Sequence, residues 1–279
     1  MNPNNIKQIL LSTDGSEYSL GAQKAAIALT KRCHGELHIM SIMLTTQDLE
    51  GVGTKHMRED LEKEVQARLD RAAEAALAEG ITCTTHLVIG EHPQHEIVNT
   101  AAEIGADLIV LGRRGTRGLA RSMVGHATAY VAGHAPCNVL VVPRAAEVWS
   151  KRILLATDGS EHSAAAGEVA LGVARQCGLP VTVVSATTRS HSEERKAEAK
   201  ASVDRKVAAM RAAGIQSTGV IAEGRPDDVV IETTAKEDAD LIVVGSRGRT
   251  GLMRLVLGSI SERILGQAQC PVMVVNGSA

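Results

Sequence analysis

The sequence predicts an α/β protein built as two doubly wound domains in tandem, each a five-stranded parallel sheet flanked by helices. Three observations carry this expectation. Ile9–Ser16 reads ILLSTDGS and Ile153–Ser160 reads ILLATDGS, and Pro93–Val142 then matches Pro226–Val275 without a gap. Short aliphatic runs alternate with stretches of helical periodicity through both copies. The aliphatic runs are continuous rather than alternating, as expected of strands buried on both faces of a parallel sheet. A period of about 140 residues is too long for a solenoid unit of ~20–50 residues, so it marks duplicated domains. They are expected at 1–144 and 151–279, with the first copy's extra length around Thr45–His56. The join, Pro143–Lys151, is short and polar and holds Trp149, which implies closely docked halves.

In the first copy the strands are expected at Ile6–Ser12, Leu37–Ile42, Thr82–Ile89, Asp107–Leu111 and Asn138–Val142. Helical patterns lie between them at 16–33, 55–79, 93–104 and 126–133. Glu59/Lys63 and Glu64/Arg68 stand at i, i+4 in the second of these helices, the mark of a solvated face. The second copy places strands near 152–156, 181–186, 216–222, 240–244 and 272–275, with helices near 161–177, 191–213, 226–237 and 260–267.

Composition narrows the function classes. The formal charge is −2, and with no Phe, two Tyr and one Trp the chain has neither the basic footprint nor the stacking platforms of a nucleic-acid binder. No apolar run approaches the ~20 residues of a membrane span. The start, MNPNNIKQ, is too polar for a secretory leader. Five cysteines (33, 83, 137, 177 and 270) form no CxxC, so a reduced, cytoplasmic setting is expected. Cys137 and Cys270 precede the last strands at equivalent positions and read as small buried hydrophobes. His92 and His95 flank Pro93-Gln94, and no second pair at a telling distance completes a zinc set.

The chemistry concentrates in Leu241–Cys270. Behind the strand LIVV come Gly245, Ser246, Arg247 and Gly248, and nine residues later Gly258 and Ser259. Ser259 and Glu262 have the spacing of a capping box, which starts a helix at Ser259. Glycines let backbone approach a ligand, and a helix N-terminus favours an anion, so G-x2-G-x9-G-S reads as a phosphate cradle. Gly112, Arg113, Arg114, Gly115, Gly125 and His126 repeat the spacing in the first copy. At the end of each first strand stand Thr13-Asp14-Gly15-Ser16 and Thr157-Asp158-Gly159-Ser160. The residues alone leave each Asp two roles: accepting from a ribose hydroxyl or holding a metal beside phosphates, or capping the next helix. Arg113/Arg114/Arg117/Arg121 and Arg247/Arg249/Arg254 can clamp phosphate oxygens or simply line a solvated basic loop; Arg114 and Arg247, inside the glycine turns, are the better candidates. Leu252, Met253, Leu255, Val256 and Leu257 make the second loop apolar, to cover a ligand, meet another subunit or pack into the core.

Over nearly the whole chain, the strand-1 Asp and the G-x2-G-x9-G-(S/T) signature resemble a tandem universal stress protein of the ATP-binding, UspA-like subclass. The resemblance implies the strand order 3-2-1-4-5, with ATP, AMP or ADP between strands 1 and 4 and Mg²⁺ as an optional companion. It implies that Asp158 contacts the ribose, with Thr157 beside it in the nucleotide-binding set, that the backbone of Ala186 meets adenine, and that Gly245, Arg247, Gly248, Gly258, Ser259 and Ser261 surround the phosphates. The matching positions in the first copy are Thr13, Asp14, Ile42, Gly112, Arg114, Gly115, Gly125, His126 and Thr128. There His126 replaces the serine and Ala129 the glutamate of the capping box, so the second cradle is the fuller match. The histidine can donate to phosphate, or fill the phosphate space itself. The resemblance further implies pairing of the last strands, Val139–Val142 with Val272–Val275, as an internal pseudo-dimer, with pairing of whole chains as a further step.

The expected function is an adenine-nucleotide-binding stress-response or signalling module. Two other readings stand beside it, a slow ATPase or phosphotransferase and a nucleotide-free, chaperone-like scaffold. The chain lacks a Walker A lysine motif and an SGGxDS-like loop, which weighs against the enzyme.

Overall fold

The computed structural model describes residues 6–45, 55–115, 123–249 and 257–277. The first repeat runs β1 (Gln8–Ser12), α1 (Leu20–Cys33), β2 (Glu36–Leu44), α2 (Lys55–Ala78), β3 (Cys83–Gly90), α3 (Pro93–Glu103), β4 (Leu108–Gly112), α4 (His126–His134) and β5 (Asn138–Val142). The second runs β6 (Ile153–Ala156), α5 (Glu161–Cys177), β7 (Val181–Thr187), α6 (Glu193–Ala212), β8 (Ser217–Glu223), α7 (Pro226–Lys236), β9 (Leu241–Gly245), α8 (Ser259–Gln267) and β10 (Val272–Val275).

The strands form one 10-stranded sheet in the order β3-β2-β1-β4-β5-β10-β9-β6-β7-β8. Each repeat therefore has its own strands in the order 3-2-1-4-5, all parallel, as the doubly wound fold requires. The seam is antiparallel, with Val139 opposite Val274, Leu140 opposite Met273 and Val141 opposite Val272. Leu140 and Met273 are equivalent residues of the two copies, so a local two-fold passes between them. The pairing also covers two β-branched edges that would otherwise stand open.

Alternate residues of each aliphatic run enter different cores. Ile9, Leu11, Leu108 and Val110 join Ile153, Leu155, Leu241 and Val243 on the face of α1, α2, α5 and α6. Leu10, Ile109 and Leu111 join Leu154, Ile242 and Val244 on the face of α3, α4, α7 and α8. Both cores cross the seam. The linker's Trp149, 1% exposed, is part of the first of them.

Asp107, expected inside a strand, stands just before β4 and accepts from the backbone N–H groups of Lys7 (2.8 Å) and Gln8 (2.9 Å). Asp240 does the same for Ser150, Lys151 and Arg152 before β6. These carboxylates fasten the start of strand 1 to strand 4 in each repeat, which sets the two strand ends that carry the site side by side.

The capping box does not form as expected. Gly258, not Ser259, is the N-cap of α8, with extended φ −64° and ψ 139° and no side-chain cap. The Gly258 N–H donates to the Ser246 carbonyl (2.8 Å), which brings the chain into the helix one residue earlier. Gly125 caps α4 in the same way. The expected contrast between the two caps therefore disappears.

Candidate functional site: a crevice between the first and fourth strands of each repeat

In the second repeat the chain leaves β6 through Thr157-Asp158-Gly159-Ser160. The Thr157 N–H still donates to the Val184 carbonyl of β7 (2.9 Å), and its buried hydroxyl lies 3.1 Å from Ser163 Oγ and 3.3 Å from Ser202 Oγ. Gly159 turns the chain with φ +79°, a conformation side chains resist. Asp158 Oδ1 accepts from the Ser160 N–H (2.9 Å), and Ser160 Oγ caps α5 by accepting from the Ser163 N–H (3.2 Å). The cap is thus Ser160, and the Asp158 carboxylate reaches across the crevice, where Oδ2 accepts from the Arg249 N–H at 2.9 Å. Burial pushes the Asp158 carboxyl up, but the donors of Ser160, Arg249 and Ser163 outweigh it and hold the group below the usual carboxylate range.

The glycine loop meets this carboxylate at close range. A side-chain carbon at Gly248 would stand 2.7 Å from Asp158 Oδ2, and one at Gly115 would stand 3.0 Å from Asp14 Oδ2. The strand-1 aspartate and the strand-4 loop therefore face one space in both repeats. Gly258 closes the loop, and its lack of a side chain leaves the first-turn amides of α8 (Ser259, Ile260, Ser261) to an outside acceptor. Arg247 Nε and Arg114 Nη2 are buried without a partner among the described residues, donors of the kind an anion satisfies. Arg114 Nε donates to the Met123 carbonyl (3.0 Å).

Other candidates have structural duties. A carbon at Gly245 would lie 2.9 Å from the His162 backbone, and one at Gly112 would lie 2.7 Å from the Tyr18 carbonyl. These glycines let α5 and α1 pack on the sheet. Ser261 Oγ donates to the Gly245 carbonyl (2.9 Å) and Thr128 Oγ1 to the Gly112 carbonyl (3.1 Å), tying each helix start to its strand. Arg113 turns away to the seam, where Nη1 donates to the carbonyls of Gly266 (3.1 Å) and Ala268 (2.7 Å) at the end of α8. Burial, then the neighbouring Arg114, lowers its pKa. Asn276 answers from the other repeat, donating to the carbonyls of Ala135 (3.2 Å) and Cys137 (2.9 Å). His126 is exposed at the first position of α4.

The cleft beside Asp158 has a cavity volume of about 30 Å³ and is lined by Ser185, Ala186, His191, Arg195, Ala199 and Arg249 as well. Of these, sequence reasoning placed Ala186 and considered Arg249. His191, Arg195 and Ala199 come from α6 and the turn before it, where nothing but the basic, i, i+4 character of the helix distinguishes them. Arg249 Nη1 pairs with Glu198 Oε2 (2.8 Å) across the mouth, and that pairing lowers the Glu198 pKa. In the first repeat, Asp14 Oδ1 accepts from Ser16 N (3.0 Å) and Oγ (2.6 Å), and the Thr13 hydroxyl lies 2.9 Å from Ser19 Oγ. Ile42 packs against the core shared with Leu10 and Met40. Arg117, Arg121, Arg254, Leu252, Met253, Leu255 and Val256 lie outside the described residues; Leu257 is buried in that same core.

His92, His95, Tyr130 and His134 form a row of ring contacts between α3 and α4. Burial pushes the thiols of Cys137 and Cys270 up to about 12.

A duplicated, doubly wound α/β fold, with a carboxylate and a glycine loop meeting where the strand order reverses, defines a protein of the class that takes ligands at that switch point. The sequence profile of the universal stress protein family matches residues 5–143 and again 150–276, and the chain belongs to that family. One repeat is similar to universal stress protein YxiE of Bacillus subtilis, 35% identical over 147 residues, 49% of this chain and 99% of that protein. Both repeats contribute to a 30% identity with universal stress protein Rv2005c of Mycobacterium tuberculosis over 197 residues, 65% of this chain and 66% of that one. A universal stress protein from Archaeoglobus fulgidus shares the fold over 96% of this chain and 98% of its own, with a TM-score of 0.77 and 21% identity. Among the described residues, no helix is long and apolar enough to cross a membrane.

Proposed function

We propose that this chain binds an adenine nucleotide in the crevice of its second repeat and serves as a stress-response or signalling module, in a reduced, cytoplasmic setting. The observation that carries the reading is the meeting of Asp158 with Gly248 beside the uncapped start of α8 and Arg247 Nε, which has no partner among the described residues. Asp158 is held ionised, so it suits an accepted ribose hydroxyl. Gly248, Gly258, Ser259 and Arg247 offer donors to phosphates, and Ala186 closes the adenine side. Thr157, Gly245 and Ser261 hold the walls in place. The free first-turn amides favour ATP, ADP or AMP over a neutral ligand. A magnesium ion carried in with the triphosphate would shield its charge.

Isothermal titration with ATP, ADP and AMP tests the reading. Saturable heat is expected for the wild type, with at least tenfold weaker binding in Asp158→Ala and Gly258→Val. Absence of heat with all three nucleotides would discard it.

A further inference from the structure

We propose that Arg68 holds the first crevice shut, so that one chain takes one nucleotide, at the second repeat. This rests on the nucleotide reading above and adds the residue that decides between the repeats.

Both repeats lay an arginine side chain over the strand-1 glycine, the aliphatic stem in the first and the guanidinium tip in the second, and in both a glutamate of the neighbouring helix pairs with its guanidinium. The source of the guanidinium differs. In the first repeat it is Arg68 of α2, paired with Glu64 one turn earlier. In the second it is Arg249 of the glycine loop, paired with Glu198 of α6. Ser202, four residues after Glu198 as Arg68 is four after Glu64, presents only its Oγ to Gly159, 3.6 Å from where a side-chain carbon would stand. α6 therefore carries a small hydroxyl where α2 carries a long cationic side chain.

The two guanidinium groups differ in how they can leave. Arg68 packs its stem on the turn, with Cγ, Cδ and Cβ at 2.8, 2.9 and 3.4 Å from the carbon that Gly15 lacks. Its side chain is 22% exposed, and it issues from a helix fixed to β2 and β3. Arg249 reaches Gly159 only with its tip, Nη2 at 3.0 Å. A swing about its outer bonds, or a movement of the loop, takes it off the crevice and onto an incoming phosphate.

An independent observation agrees. Ser185 follows Val184, whose carbonyl receives the Thr157 N–H, and it lines the cleft beside Asp158. Ser41 holds the same place after Met40, whose carbonyl receives the Thr13 N–H. Both serines are buried, Ser41 at 0% and Ser185 at 3% exposure, but the Ser41 hydroxyl has no partner among the described residues. The first repeat keeps the polar residue at this place in the wall and leaves its hydroxyl unsatisfied.

Stoichiometry decides the matter. ADP is titrated into the full chain as wild type, R68S, S202R and the double variant R68S/D158A, each checked for its fold by circular dichroism. The expected stoichiometries are one, two, none and one, the last assigning the gained site to the first repeat. Two sites in the wild type, or one in a folded R68S, overturn the proposal whatever S202R does. Heat in R68S but not in the wild type keeps the role of Arg68 and removes the reading of the second crevice; no heat in any of the four removes both.

Discussion

The carboxylate of Asp158 and the backbone of Gly248 are in contact across the crevice, with 2.7 Å between Oδ2 and the position of a missing side-chain carbon. Real side-chain carbons do not approach a carboxylate oxygen so closely. Gly248→Ala must push either the loop or Asp158 aside, at a cost of about 1–3 kcal/mol. Nucleotide affinity is expected to fall at least tenfold, while the far-UV spectrum is unchanged. Wild-type affinity in this variant would show that the contact has no part in binding.

The Arg249–Glu198 pair spans the mouth of the same crevice at 2.8 Å. Glu198 is solvated, so the pair is weak and easily broken. Glu198→Gln releases Arg249 to the phosphates, and affinity for ATP is expected to rise by up to about fivefold, with a smaller gain for AMP. Equal gains for both nucleotides, or a loss, would mean that Arg249 does not turn to the phosphates.

Acid should weaken the fold partly through Asp158. Its pKa is lowered in the folded chain, so its contribution is full above the unfolded value near roughly pH 4 and is lost as pH falls through the lower folded value. Asp158→Asn is expected to flatten the fall in urea midpoint below about pH 4 and to leave the slope at neutral pH alone. An unaltered acid limb in this variant would exclude the carboxylate as a contributor.

The halves are expected to unfold together. Each core runs through both repeats, and Arg113 and Asn276 bind helix-end carbonyls across the seam. A charged donor shared between two carbonyls contributes about 1.5–3 kcal/mol. Urea denaturation should show one transition, with the unfolding free energy lowered by that amount, and the midpoint moved to lower urea accordingly, in Arg113→Ala. Two resolved transitions in the wild type would show the repeats to be independent.

The strands were legible to within a residue or two because continuous aliphatic runs admit few alternatives between turn residues. The Asp158–Gly248 meeting was legible too, since a parallel sheet places strand ends side by side. Three things were not. Gly-Ser before an S-x-x-E pattern leaves two residues competing for the cap, and the Gly258 hydrogen bond to Ser246 decides it. Gly112 and Gly245 look like ligand glycines, whereas close helix packing requires them. Arg68, Ser202 and Glu198 sit on helices whose polar faces are uniform in sequence. Only the packed angle of α2 and α6 shows which turn overhangs the crevice.

The antiparallel pairing of Leu140 with Met273 reverses every strand of the second repeat relative to the first. The carboxyl ends of the two strand sets consequently point to opposite poles of the molecule. A ligand seated at one pole is out of direct reach of the other, and no single flat partner can read both.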